Sequence, residues 1–166
     1  WVIGDWGSVA LRVACAAVHA GCSVPGFDPV PSRPALPPDR GPHGEDIPPA
    51  TVRAALDSGR YRVLSDSAEL GEFNVAVITV PTPLTDGAPD LSAVEAAAAM
   101  VGGLLKPGGL VVLESTTRPR TTTEVGGPIL EATSGLRARA DFHPGYSPKR
   151  IKPGNRPRGP ENTPTG

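Results

Sequence analysis

The chain has 166 residues, a formal net charge of −1 and a hydrophobic share of 39%. That is long enough for one domain with a real core, and the balanced charge gives no global sign of a nucleic-acid binder or an acidic solvating tail. Its 20 glycines and 21 prolines approach a low-complexity level, but eight prolines fall in residues 28–50 and six in 144–166, so the rest reads as ordinary globular sequence.

Apolar runs with the look of buried strands alternate with helical patterns. Val2-Ile3 comes first, then Ser8–Ala20 with helical spacing, then the run Val24–Phe27. A second helical pattern, Ala50–Asp57, precedes a weaker strand at Tyr61–Leu64, and Val75–Val80 follows. Leu91–Leu105 reads as a helix, with Ser92-x-x-Glu95 as a capping box and Lys106-Pro107-Gly108-Gly109 as its stop. Leu110–Leu113 is the next strand, Thr121–Ala132 the next helix, and a short strand is expected near Phe142–Tyr146. Continuous β-branched runs without polar alternation mark parallel strands covered on both faces. The expected fold is therefore an open, doubly wound, mainly parallel α/β sheet of about six strands.

Two segments break the pattern. Prolines 29, 31, 34, 37 and 38 forbid a regular helix where a βα unit would want one, so residues 29–49 are expected to be an irregular insert. From Ile151 the chain is rich in Pro, Gly and Arg, and 151–166 is expected to be a tail on a domain of residues 1–150. Residues 137–166 carry seven Lys or Arg against two acids, net +5, leaving −6 for residues 1–136. That basic end reads either as a solvated flank or as contact with a phosphate-bearing ligand. The opening on Trp1 and the half-length first strand suggest a fragment clipped at both ends. No signal-peptide pattern is visible, and the longest low-charge helical stretch is too short to span a bilayer. Cys15 and Cys22 make neither a disulfide framework nor a metal cluster, so cytosol is the expected compartment. Scattered His19, His43 and His143 show no ligand spacing.

Four constellations could carry chemistry. In the first, Gly4, Gly7 and Ala10 lie where a strand turns into a helix, and Gly7-x-x-Ala10 fits the second half of G-x-G-x-x-G/A. Gly4 stands one residue too far away. Backbone N–H groups at such a turn can face a pyrophosphate, although an ordinary βα turn is the alternative. Asp28, 21 residues after Gly7, lies where an acid binds adenosine ribose hydroxyls, or is simply a polar strand-end residue. The second is Val80-Pro81-Thr82-Pro83, in which two prolines hold Thr82 beyond a strand's carboxyl end, as a ligand contact or a rigid turn. Third, Glu114-Ser115-Thr116-Thr117 puts hydroxyls at the same sheet edge, where one of them could instead cap the next helix. The fourth, Ser147-Pro148-Lys149-Arg150, is a basic turn with no role assignable from its residues alone.

In order, VPTPLTDGAPDLSAVEAAA, LKPGGLVVLESTT and SPKRIKPGN closely resemble the N-terminal domain of the UDP-glucose/GDP-mannose dehydrogenases, most of all the UDP-N-acetyl-hexosamine 6-dehydrogenases. The resemblance runs from Val2 to about Asn155. It implies a Rossmann-like fold, NAD as cofactor, a nucleotide-sugar substrate of polysaccharide biosynthesis, and oxidation of the sugar C6 alcohol to a carboxylate through a covalent adduct on a cysteine. It also implies that full-length members are homo-oligomers, with neither nucleic acid nor membrane as partner. By the same resemblance Gly4, Gly7 and Ala10 match the dinucleotide turn, Asp28 the ribose acid, and Arg33 a basic residue near adenosine. Val80, Pro81 and Thr82 match the segment near the cofactor, and Thr116 the threonine near nicotinamide and the reacting centre. Ser147, Lys149 and Arg150 match the S-P-E-R segment on the substrate side. Lys149 departs from it, standing where the family has an acid. The family's nucleophilic cysteine and catalytic lysine match nothing here, so this stretch alone is expected to be inactive. Two other readings stay open: a degraded, non-catalytic dinucleotide-binding module, and a class I methyltransferase-like domain suggested by the Leu105–Gly109 turn.

Overall fold

The computed structural model describes residues 2–3, 8–28, 47–85, 88–114 and 122–147. Strand β1 (Val2–Ile3) leads into helix α1 (Ser8–His19), and β2 (Val24–Phe27) follows. Helix α2 (Pro49–Asp57) starts one residue earlier than its apolar spacing suggests, because the fixed φ of proline suits the first helical turn. Strand β3 (Tyr61–Leu64), a 3-10 turn at Ser67–Glu69 and β4 (Val75–Ile78) come next, then a small antiparallel ribbon of β5 (Leu84–Thr85) and β6 (Ala88–Pro89). Helix α3 (Ser92–Leu104), β7 (Leu110–Leu113), a π turn at Thr122–Gly126, α4 (Gly127–Ser134) and β8 (His143–Tyr146) complete the described chain.

Six strands form one sheet in the order β3-β2-β1-β4-β7-β8, and every pairing in it is parallel. Counting only this sheet's strands along the chain, that order is 3-2-1-4-5-6, the doubly wound Rossmann arrangement. Two cores flank it. On one face α1 and α2 bury Leu11, Ala14, Val18 and Val52 against Val24 and Tyr61. On the other, α3 and α4 bury Val94, Val101 and Leu130 against Ile78, Val111 and Leu113. Phe142, fully buried, seals that second core just before β8. The helices α3 and α4 approach so closely that a Cβ on Gly102 would lie 1.8 Å from Thr133 Oγ1.

Three local expectations are corrected. Strand β4 stops at Ile78 rather than Val80, because its neighbours stop there: Ile78 pairs with Ile3 and Leu113, and its carbonyl accepts the Glu114 N–H at 2.9 Å. Ser92 does not form a capping box. It is the first residue of α3, and its N–H is taken at 2.9 Å by the Asp90 carboxylate from outside the helix. The helix expected over residues 121–132 instead divides into the π turn and α4. Pro128 has no N–H to give to the carbonyl four residues back, so a regular ladder cannot run through it. Gly135 then ends α4 with φ of 72°, its N–H closing on the Glu131 carbonyl.

Candidate functional site

The parallel ladders determine which residues share the carboxyl edge. Leu64, Phe27, Ile3, Ile78, Leu113 and Tyr146 form one register row across all six strands. The residues one step on therefore line one rim, Ser65 beside Asp28 on one side of β1 and Thr79, Glu114 and Ser147 in sequence on the other. Backbone bonds hold three of them in place. Asp28 N–H donates to the Leu64 carbonyl at 3.1 Å, Glu114 N–H to that of Ile78 at 2.9 Å, and Ser147 N–H to that of Leu113 at 3.0 Å. Between β1 and β4 the winding of the sheet reverses, and open α/β sheets bind ligands in the crevice that this reversal leaves beyond the strand ends.

Asp28 stands beside that crevice and is only 6% exposed, the one buried charged residue among those described. Asp28 already engages a partner within the chain, and because a carboxylate has about four acceptor sites it keeps capacity for donors such as ribose hydroxyls. The residues present thus fit the adenosine half of a dinucleotide. Ala10 is buried on α1 beside Leu11 and Ala14, where its small side chain lets the helix lie close to the sheet. Val80 and Thr82 are half-buried and Pro81 is exposed, just past β4 and before the β5–β6 ribbon. The ribbon is tied back by the Asp90 N–H, which donates to the Pro83 carbonyl at 2.8 Å, and it carries an exposed Leu84.

The structure thus brings Asp28, Val80, Pro81, Thr82 and Ser147 to one edge, with Ala10 in the first helix behind it. Gly4, Gly7, Arg33, Thr116, Lys149 and Arg150 lie outside the described residues. Thr79 joins the rim from inside what the sequence suggests is the strand Val75–Val80, and Glu114, expected at this edge only as the first residue of the Glu114–Thr117 segment, stands on the rim itself. The signal for both is that each directly follows an apolar stretch of paired strand, Val75–Ile78 or Leu110–Leu113.

Neither cysteine is placed to act at this edge. Cys15 is buried in the middle of α1, and burial pushes its thiol up, away from the thiolate. Cys22 precedes β2 and so lies toward the opposite, amino edge. Among the described residues no three His, Cys, Asp or Glu side chains gather as a metal site. Among the same residues no helix is long and apolar enough to cross a membrane.

Residues 6–159 match the model of the UDP-glucose/GDP-mannose dehydrogenase family, NAD binding domain. The chain belongs to that family. Its fold is the family's Rossmann domain, its cofactor is NAD, and neither the methyltransferase-like nor the degraded-module reading is favoured. The UDP-N-acetyl-D-glucosamine 6-dehydrogenase of Salmonella typhi is 40% identical over 116 residues, which are 69% of this chain and 27% of that protein. The enzyme of the same description from Pseudomonas aeruginosa is 45% identical over 89 residues, 53% of this chain and 21% of its own. Among solved structures, the UDP-D-ManNAc dehydrogenase of Pyrococcus horikoshii superposes with a TM-score of 0.79 at 29% identity, covering 93% of this chain and 37% of that one. The chain therefore spans about a quarter of the length of the curated relatives it matches.

Proposed function

We propose that this chain is the cofactor-holding part of an enzyme that oxidises the C6 alcohol of a UDP-N-acetyl-hexosamine to a carboxylate, and that these 166 residues alone do not complete a turnover. The observation that carries the reading is Asp28, a buried carboxylate at the carboxyl end of β2 beside the switch point. The identities of 40% and 45% to two UDP-N-acetyl-D-glucosamine 6-dehydrogenases favour a hexosamine substrate over UDP-glucose.

When bound, NAD supplies the hydride acceptor. The chain's own part is to hold it. Asp28 accepts hydrogen bonds from the adenosine ribose; we assign Gly4 and Gly7, ahead of Ala10 on α1, to the pyrophosphate, and Arg33 to the adenosine half. Thr82, fixed between Pro81 and Pro83, offers a hydroxyl at a set angle near the nicotinamide half, and Val80 lines the approach. Thr116 orients substrate or water near the reacting carbon, since a threonine hydroxyl is too weak an acid or base to act alone. We assign Ser147, Lys149 and Arg150 to the nucleotide sugar, whose diphosphate the two cations would pair with.

The two-stage oxidation of an alcohol to an acid also needs a nucleophile to hold the aldehyde and a base for the C6 hydroxyl. Cys15, buried and protonated, and Cys22, toward the far edge, supply no thiolate here. We assign those groups to polypeptide beyond this stretch. On the same reading residues 1–150 are the dinucleotide-binding domain, with an insert after Asp28 that ends before α2 begins at Pro49, and 151–166 are a tail. The full-length protein is then a cytoplasmic homo-oligomer. Incubating the chain with NAD and UDP-N-acetyl-glucosamine and following NADH absorbance tests the proposal. No turnover is expected, and steady formation of two NADH per sugar would contradict the assignment of the chemistry.

A further inference from the structure

The rim holds two carboxylates beside the switch point, and the cofactor reading uses only one of them. Asp28 follows β2 and Glu114 follows β7, both one step past the last paired row, with β1 and β4 between them. Three strand spacings separate their backbones by about 14 Å. An extended dinucleotide with its adenosine ribose at Asp28 would bring its nicotinamide half toward Glu114. Gly26, Val77 and Val112 share one register row, and period-two alternation sets Asp28 and Glu114 on the same sheet face as those residues. That is the face that α1 covers over β2. Glu114 is half-buried, and its backbone is anchored by the bond to Ile78. It also engages a partner within the chain. A carboxylate has about four acceptor sites, so such a partner orients the group and leaves capacity for a ligand.

We propose that Glu114 is a cofactor-positioning residue that selects the redox state of the bound NAD, its carboxylate lying near the nicotinamide and favouring the oxidised ring. The inference rests on the NAD reading above. The oxidised ring carries a positive charge and the reduced ring none, so a nearby carboxylate attracts one form and leaves the other untouched. In a partly desolvated crevice that attraction is stronger than in bulk water. The bias suits an enzyme that must take up NAD+ and let NADH go.

Titrations of the chain with NAD+, NADH and ADP-ribose, which lacks the nicotinamide, separate this role from a structural one. Glu114→Gln is expected to weaken NAD+ binding about three- to tenfold while NADH and ADP-ribose change less than about twofold. Glu114→Asp, which keeps the charge, is expected to retain part of the NAD+ preference, and thermal melts of both variants confirm that they fold. Equal losses for all three ligands would overturn the proposal, as would no change in any of them. So would an aspartate variant indistinguishable from the glutamine one. If the unaltered chain fails to bind ADP-ribose, the cofactor reading itself falls, and the proposal with it.

Discussion

Asp28 carries the cofactor reading because it is a buried carboxylate at the strand end beside the switch point, with acceptor sites to spare beyond its partner within the chain. Ribose hydroxyls can donate to it, whereas a ribose 2′-phosphate would bring like charges together. Asp28→Ala is expected to weaken NAD binding by about tenfold or more, the scale of hydrogen bonds to a charged group, and to narrow the preference over NADP. Isothermal titration with both cofactors measures each effect, and unchanged affinities would remove Asp28 from the site. Tyr61 and Cys15 show the opposite use of burial. The Tyr61 ring packs on Gly26, where an added Cβ would lie 3.3 Å from it. Burial pushes the Tyr61 phenol up from its ordinary value of 10.0, and the neighbouring Cys15 adds to the shift. Both groups are thus held neutral in the fold. The stability they contribute is complete below their unfolded values, 9.0 for Cys15 and 10.0 for Tyr61, and is lost as pH rises beyond them. Urea melts between pH 8 and 11 are expected to show stability falling at the alkaline end, less steeply in Tyr61→Phe. Asp90 and Asp141 act in the acid direction: Ser92 holds the first below its ordinary value, and the Arg137 backbone N–H holds the second. What they contribute is lost as pH falls through those lowered values.

At the scale of elements, neighbouring glycines of α3 should respond with opposite signs. Gly103 faces open space, so Gly103→Ala is expected to stabilise by up to about 1 kcal/mol through helix propensity alone. Gly102 faces α4. An alanine there would meet Thr133 Oγ1 at 1.8 Å and its Cβ at 2.9 Å, and the hydroxyl is engaged with the Ile129 carbonyl at 2.7 Å. Gly102→Ala is expected to destabilise by about 1–3 kcal/mol, with Thr133→Ala recovering part of the loss. Thermal or urea denaturation of the four proteins checks the pair. Strands β2 and β7 were legible to the residue because they are unbroken apolar runs that end where polarity returns, while the edge strand β3, interrupted by the exposed Arg62, gave a weaker signal with the same bounds. Helix starts were less legible. Ser92-x-x-Glu95 fits a capping box as a pattern, but Asp90 two residues earlier supplies the better-placed oxygen. The β5–β6 ribbon was invisible, since Leu84-Thr85 and Ala88-Pro89 are too short to show any alternation.

At the scale of the molecule, alternation of strand and helix was enough to imply the doubly wound sheet, and Asp28 and Thr82 were legible as candidates from their distance along the chain to a turn or a strand. The rim was not. That Asp28, Thr79, Glu114 and Ser147 line one rim depends on register between segments far apart in sequence, and no local pattern encodes it. The central claim is that NAD lies across this carboxyl edge, and backbone amide shifts in a 15N-labelled chain titrated with NAD+ test it most directly. Shifts are expected at Asp28, Thr79, Val80, Thr82, Glu114 and Ser147, while amides of the amino edge such as Cys22, Arg60, Gly108 and Asp141 stay still. Shifts confined to that amino edge, or none at millimolar NAD+, would contradict the account.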